Sequence, residues 1–180
     1  MRAFLSAMLA CVMLTACAQP PGDGVYRDTG QPLSVTTRSD ASRLAGDWVV
    51  RSATPDEAGL THVTYLGRTG TATGEAFALT RRVCDESARC ELRRSTRAAM
   101  PLGMNRWRLA GDETPREIWV VWVDEGYRTA AIGTPDGSFG WILDRAATGG
   151  ADRITAAREI LEFNGYTAGA LRARGTGGDT

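Results

Sequence analysis

The stretch EIWVVWVDEGYRTAAIGTPDGSFGWILDR, residues 117–145, contains three short apolar runs divided by two sets of turn residues. Asp124-Glu125-Gly126 separates the first run from the second, and Thr134-Pro135-Asp136-Gly137 separates the second from the third. The runs are short and rich in β-branched and aromatic residues, so each reads as a strand. Connections this short join antiparallel neighbours. In the last run Phe139, Trp141 and Leu143 share one face, while Ser138, Gly140, Ile142 and Asp144 share the other. That alternation turns the first set inward and the second mostly outward. The run EIWVVWV does not alternate: Trp119, Val121 and Val123 make one face apolar, and Ile118, Val120 and Trp122 make the other apolar too. A strand apolar on both sides needs a cover outside the sheet as well as a core inside it.

Working outward from this stretch, eight strands are expected, at residues 47–53, 60–66, 75–83, 89–97, 105–109, 117–123, 127–133 and 139–144. Sequential short strands with short turns argue for an antiparallel meander, hence an up-and-down barrel or a sandwich. Closing the sheet into a barrel removes exposed edges, and eight strands leave room inside for side chains or one small ligand. The cover follows directly in the chain. After Gly149-Gly150, the residues Ile154, Ala157 and Leu161, with Ile160 beside them, fall on one helical stripe. Arg153, Glu159 and Glu162 are expected in solvent, and Asn164-Gly165 supplies the stop. The expected fold is therefore all-β, an eight-stranded antiparallel up-and-down barrel with one C-terminal α-helix packed against its outer wall.

The chain has 180 residues, with 43% hydrophobic and 23% charged, a composition compatible with one globular domain. Basic and acidic residues balance at 21 each, which gives no global field for nucleic acid. The N-terminus, MRAFLSAMLACVMLTAC, has one Arg, then an apolar stretch too short to span a bilayer comfortably, then small residues. It reads as a secretory signal over residues 1–16. Leu14-Thr15-Ala16-Cys17 resembles the lipobox of bacterial lipoproteins. That resemblance implies cleavage before Cys17, acylation of Cys17 and, with Ala18 following, sorting to the outer membrane with the domain in the periplasm. Two or more acyl chains anchor firmly where one would bind reversibly. Residues 18–42 are rich in Pro, Gly, Ser, Thr and Asp without a period, so 17–43 reads as lipidated Cys plus flexible tether. The barrel with its helix is expected over 44–174 and a disordered tail over 175–180. Cys11 leaves with the signal, and Cys84 and Cys90, six residues apart in an exported chain, are expected to form one disulfide across a tight hairpin. Such a loop constrains the unfolded chain by about 2–3 kcal/mol. Two thiols without nearby His make a poor zinc site, and no other metal or cofactor set is present.

Taken together these features resemble the lipocalins, specifically their bacterial lipoprotein branch. Gly46-Asp47-Trp48 matches the family's Gly-x-Trp motif. The 117–145 stretch matches its paired strands, its Gly-Thr-Pro-Asp turn and its Trp-Ile-Leu-x-Arg ending, and EFNGYTAGAL matches its closing Gly-aromatic pattern. The resemblance covers about residues 44–173 and is concentrated in the final third. It implies that Trp48 lies at the closed base of the barrel with Arg145 across its indole. A guanidinium over Trp gains about 0.5–2 kcal/mol of cation–π attraction, so the implied role of Gly46, Trp48 and Arg145 is structural.

For catalysis the sequence offers little. His62, the only His, falls in a strand, and no nucleophile elbow, phosphate loop or metal-ligand cluster is seen. The expected function is a lipid-anchored, non-enzymatic carrier of small hydrophobic molecules, with fatty acids or lysophospholipids implied by the family. Burying an acyl chain is favourable by about 0.8 kcal/mol per methylene. By parity the candidate lumen residues are Val50, Trp119, Val121, Trp141 and Leu143, each of which also suits simple core packing. Arg81, Arg82, Arg89, Arg93, Arg94, Arg97, Arg106 and Arg108 concentrate on the middle strands. They suit either an anionic head group or a solvated ionic face. Two rivals stand beside the carrier. One is a periplasmic barrel-type protease inhibitor, whose family lacks the helix after the last strand. The other is a structural envelope lipoprotein whose barrel is filled by its own side chains.

Overall fold

Eight strands follow one another around a closed antiparallel barrel in the computed structural model, which describes residues 24–38, 40–68, 74–111 and 116–174. They are β1 (Gly46–Ala53), β2 (Leu60–Arg68), β3 (Glu75–Cys84), β4 (Cys90–Gly103), β5 (Arg106–Leu109), β6 (Arg116–Val123), β7 (Thr129–Gly133) and β8 (Gly140–Asp144). Each pairs with its successor, and β1 closes the ring by pairing with both β8 and β2. The expected signal segment, Cys17 and the tail lie outside the described residues. Within the domain the main departure from expectation is β4, which runs unbroken to Gly103 through Met100-Pro101. Only its last third pairs with β5, where Ala99 faces Leu109 and Pro101 faces Trp107. The rest of β4 pairs with β3 alone, so the tips of β3 and β4 form a two-stranded ribbon projecting from the wall, its side chains mostly exposed. Cys84 and Cys90 are joined at its end.

A short ninth strand, β9 (Arg172–Ala173), pairs with Ser52 and Ala53 at the far end of β1. Near it Arg174 donates to the Ala58 carbonyl at 2.6 Å and to that of Leu60. The chain after the helix thereby fills the gap where β1 and β2 diverge.

The helix α2 (Ala151–Phe163) lies where a cover was needed. Ala157 and Leu161 are buried, Ile154 and Ile160 partly so, against Val121, Ala131 and Ile142 on the outer faces of β6, β7 and β8. Asn164 ends the helix and Gly165 follows at φ +90°, a left-handed conformation that glycine adopts without Cβ strain. Glu159 is exposed, but Arg153 is not in solvent as its helical position suggested. Its guanidinium lies 3.1 Å from the buried Asp144 carboxylate and 2.8 Å from Thr129 Oγ1. A carboxylate buried in the wall needs a partner, and Arg153 is the cation within reach.

The tether expected over residues 17–43 is, from Gly24 onward, a strap laid on the barrel. Tyr26 N donates to Gly137 O at 2.8 Å, Asp28 N to Gly165 O at 2.8 Å and Thr36 N to Val120 O at 2.9 Å. Arg27 is buried, its guanidinium shared among the carbonyls of Asn164, Pro135 and Gln31. Asn164 Oδ1 accepts from both the amide and the hydroxyl of Ser34, at 2.7 and 2.6 Å. Asn105 Nδ2 donates to the carbonyls of Thr36 and Arg38, each at 2.9 Å. Polar groups do this work, so the segment shows no hydrophobic period. The strap ends in a one-turn helix α1 (Ala41–Leu44), capped by the Asp40 side chain.

Candidate functional site: a filled lumen with two differently closed ends

At one end β1 begins and β8 finishes. Gly46 sits there at φ +93°, against the Arg145 guanidinium. The Arg145 guanidinium carbon lies 3.7 Å from the Trp48 ring centroid, and its nitrogens donate to the carbonyls of Asp47, Arg43 and Ala45 at 2.7–2.9 Å. The Trp48 indole N–H donates to Leu44 O at 2.8 Å. Both terminal nitrogens of Arg145 and the Trp48 N–H are thus bonded to backbone carbonyls, and the base is closed by structure.

Between the ends the interior is apolar. Leu44, Trp48, Val63, Tyr65, Phe77, Trp107, Ile118, Val120, Ala130, Ile132, Trp141 and Leu143 line the space that remains. Tyr65, Phe77 and Trp107 form one aromatic cluster, with centroids 4.8–5.4 Å apart, and Phe139 stacks on Trp141 at 4.6 Å. The remaining cavity is about 30 Å³, whereas small-molecule sites usually occupy about 300–1,000 Å³. The barrel in this conformation is packed with its own side chains. One polar atom inside is not accommodated: Trp141 Nε1, on a residue 1% exposed, has no hydrogen-bond partner among the described residues.

The other end is closed by the loop between β1 and β2, residues 54–59, which includes a 3₁₀ turn at Pro55–Glu57. Glu57 points inward and is only 4% exposed. Its Oε2 accepts from Arg81 Nη2 at 2.6 Å, and its Oε1 accepts from Arg116 Nη2. Arg116 in turn lies over the Phe139 ring, 4.5 Å from its centroid. From the mouth inward the order is Glu57 between two guanidinia, then Phe139, then Trp141, then the apolar wall.

Of the expected lumen residues, Val50, Trp141 and Leu143 face the interior, and Trp141 and Leu143 line the cavity. Trp119 and Val121 do not. Trp119 is on the outer face, its N–H donating to Glu117 Oε2 at 2.9 Å and its ring under Arg106. Val121 packs beneath α2. With both faces apolar, alternation does not say which set turns inward; Ile118 and Val120 do, and a β-bulge between Val120 and Trp122, with Val121 the extra residue, then returns Val123 to the interior opposite Ala130. The interior faces of β6 are therefore Ile118, Val120 and Val123.

Three of the eight clustered arginines form ion pairs on the surface. Arg89 pairs with Asp85 at 3.2 Å, Arg93 with Glu91 at 2.5 Å and Arg108 with Glu117 at 2.8 Å. Arg81 alone among the eight expected arginines reaches Glu57 at the mouth. Sequence reading did not find Glu57 or Arg116; both stand in turn-like segments far apart in the chain, and nothing local marks them. His62 is exposed on β2, its Nδ1 3.1 Å from Thr61 Oγ1. Asp124 organises the β6–β7 turn, accepting from the amides of Gly126, Arg128 and Thr129 and from Arg128 Nε.

Comparison with known proteins agrees with this architecture. Among solved structures the chain is similar to apocrustacyanin C1, with a TM-score of 0.62 at 12% identity over 89% of this chain and 95% of the other. Apocrustacyanin C2 and lobster apocrustacyanin A1 each give a TM-score of 0.53 at 12% identity, over 74% of this chain and 78% of theirs. At that identity the likeness concerns the fold. No curated protein matches the chain. A family model described as a lipocalin-like domain matches residues 68–175, from the end of β2 through β9. That match spans more than half of a chain whose closed eight-stranded barrel and outer helix are those of the fold, and the protein belongs to the lipocalin-like domain family.

Proposed function

We propose that this protein is a lipid-anchored envelope lipocalin that takes small hydrophobic molecules, fatty acids or lysophospholipids among them, into its barrel. The lipocalin fold itself suggests binding of small hydrophobic ligands, in a family of generally non-enzymatic binding proteins. The observation that carries the reading for this chain is the Trp141 N–H, buried in a mostly apolar lumen with no hydrogen-bond partner among the described residues. A permanently filled core satisfies its buried polar groups, and each exception calls for a reason. A guest carrying an oxygen acceptor is such a reason. The lipobox-like Leu14-Thr15-Ala16-Cys17 supports an anchor on Cys17, and Ala18 supports residence at the outer membrane with the barrel in the periplasm. Helix α2 supports the carrier over a barrel-type inhibitor.

The cavity of about 30 Å³ favours a second reading, a structural envelope lipoprotein with a filled barrel. The two are separated by mass spectrometry of lipids extracted from the purified protein, together with tryptophan-fluorescence titration by a fatty-acid series. Co-purified lipid and saturable quenching are expected. No lipid and flat titrations would leave the filled barrel. The anchor has its own test: Cys17→Ser should release the protein from the membrane fraction, and retention there would refute lipidation at this residue.

A further inference from the structure

We propose that Arg81 and Arg116 form the head-group site for a carboxylate-bearing amphiphile, and that Glu57 holds this site from within until such a guest replaces it. The inference rests on the carrier reading and names the ligand class it admits. The paired groups differ in origin. The two guanidinia belong to the barrel wall, Arg81 on β3 and Arg116 at the first residue of β6, and Arg116 is held over Phe139. The carboxylate comes from the loop that covers the mouth. Each Glu57 oxygen meets one guanidinium, Oε2 with Arg81 and Oε1 with Arg116. Two planar oxygens on one carbon, each meeting one arginine, is the geometry of a carboxylate guest.

Burying these charges is no efficient way to shut a barrel. Apolar residues of similar volume often close such a space as well or better, whereas removing one partner leaves an uncompensated charge. The ion cluster does provide selectivity. A guest carboxylate that takes Glu57's place leaves both arginines paired, and its tail descends past Phe139 toward Trp141. A neutral guest must either leave Glu57 in place or strand two half-buried arginines. A cationic guest meets the same two guanidinia and is repelled.

The test uses the full chain freed of co-purified lipid, titrated by tryptophan fluorescence with laurate, dodecanol and dodecyltrimethylammonium. Laurate is expected to bind about tenfold or more tighter than dodecanol, because the charged hydrogen bonds are made by the carboxylate alone. Dodecyltrimethylammonium is expected to bind weakest. Glu57→Gln, which weakens the internal competitor, should tighten laurate about tenfold and change dodecanol little, and Arg116→Gln should erase the preference. The ratio in the unmodified protein needs no variant, so it decides even where a variant folds poorly. Equal binding of laurate and dodecanol would overturn the site and leave the carrier reading standing. A laurate preference indifferent to both substitutions would overturn its placement. Failure of all three probes in every form would remove the carrier reading with it.

Discussion

Tyr166 fixes how closely the chain after α2 can approach the wall. Its hydroxyl donates to Phe139 O at 2.6 Å and accepts from Thr134 N at 3.0 Å, and burial pushes its ionisation far above the usual tyrosine value. The side chain lies against Gly133 and Gly140, where a Cβ would meet its hydroxyl oxygen at 3.0 Å and a ring carbon at 2.7 Å. Tyr166→Phe should cost about 1–3 kcal/mol, since it leaves a buried carbonyl and amide unpaired, and Gly140→Ala about 1–3 kcal/mol through overpacking. Urea unfolding of both variants measures this. Asp124 gives a pH signature. Burial works against its charge, but hydrogen bonds from the amides of Thr129, Arg128 and Gly126 and from the Arg128 side chain outweigh it and hold the carboxyl below its ordinary value. In the unfolded chain an aspartate titrates near about 3.9. The stabilisation from Asp124 is therefore complete above that pH and is lost as acid carries it down through the folded value. Asp124→Asn should lower stability at neutral pH and flatten its decline below about pH 4, read from denaturation curves across the acid range. Single residues differ in how plainly the sequence announces them. The Gly-x-Trp motif marks Trp48 and the end of the last strand marks Arg145. Arg27, which binds three backbone carbonyls, sits in a segment whose composition reads as a linker.

Among the elements, β8 and β6 show what strand patterning can and cannot convey. In β8 Trp141 and Leu143 face inward and Ile142 faces the helix, so simple alternation gives the faces correctly. In β6 both faces are apolar, and a bulge at Val121 changes the parity midway, so alternation carries no information about which set faces the lumen. The helix was legible because its cover was demanded by that same two-sided strand. Its attachment depends on more than the apolar stripe: Leu161→Ala should cost about 2–5 kcal/mol, and Arg153→Met should destabilise by leaving Asp144 without its cation. Thermal melts of the two variants check this. The β3–β4 ribbon behaves differently. Its tip is paired only within itself, so it can fray while the barrel stays folded. Replacing Cys84 and Cys90 with Ser should therefore shift global stability by under about 1 kcal/mol, less than the 2–3 kcal/mol of loop-closure estimates. The amides of the ribbon should nonetheless exchange faster in hydrogen-exchange measurements.

At the scale of the whole molecule, an eight-stranded up-and-down barrel with one outer helix was readable from turns, periodicity and motif order. The mouth was not, because Glu57, Arg81 and Arg116 come from three segments that meet only when the ring closes. The strap was not either, since polar bonds rather than an apolar period hold it. Yet its course decides where anything attached ahead of residue 24 emerges. Gly24 and Tyr26 dock beside Gly137 in the β7–β8 turn and near Asp56 in the loop over the mouth, at the end of the barrel opposite Trp48. From Cys17 to Gly24 is seven residue steps, about 25 Å at full extension. With Cys17 acylated as proposed, that short leash would hold the Glu57 end of the barrel within about 25 Å of the bilayer. Inserting a long Gly/Ser segment after Ala18 should then slow uptake from vesicles without altering affinity in solution. On the proposed reading, cargo would then pass from leaflet to barrel across a gap of at most about 25 Å.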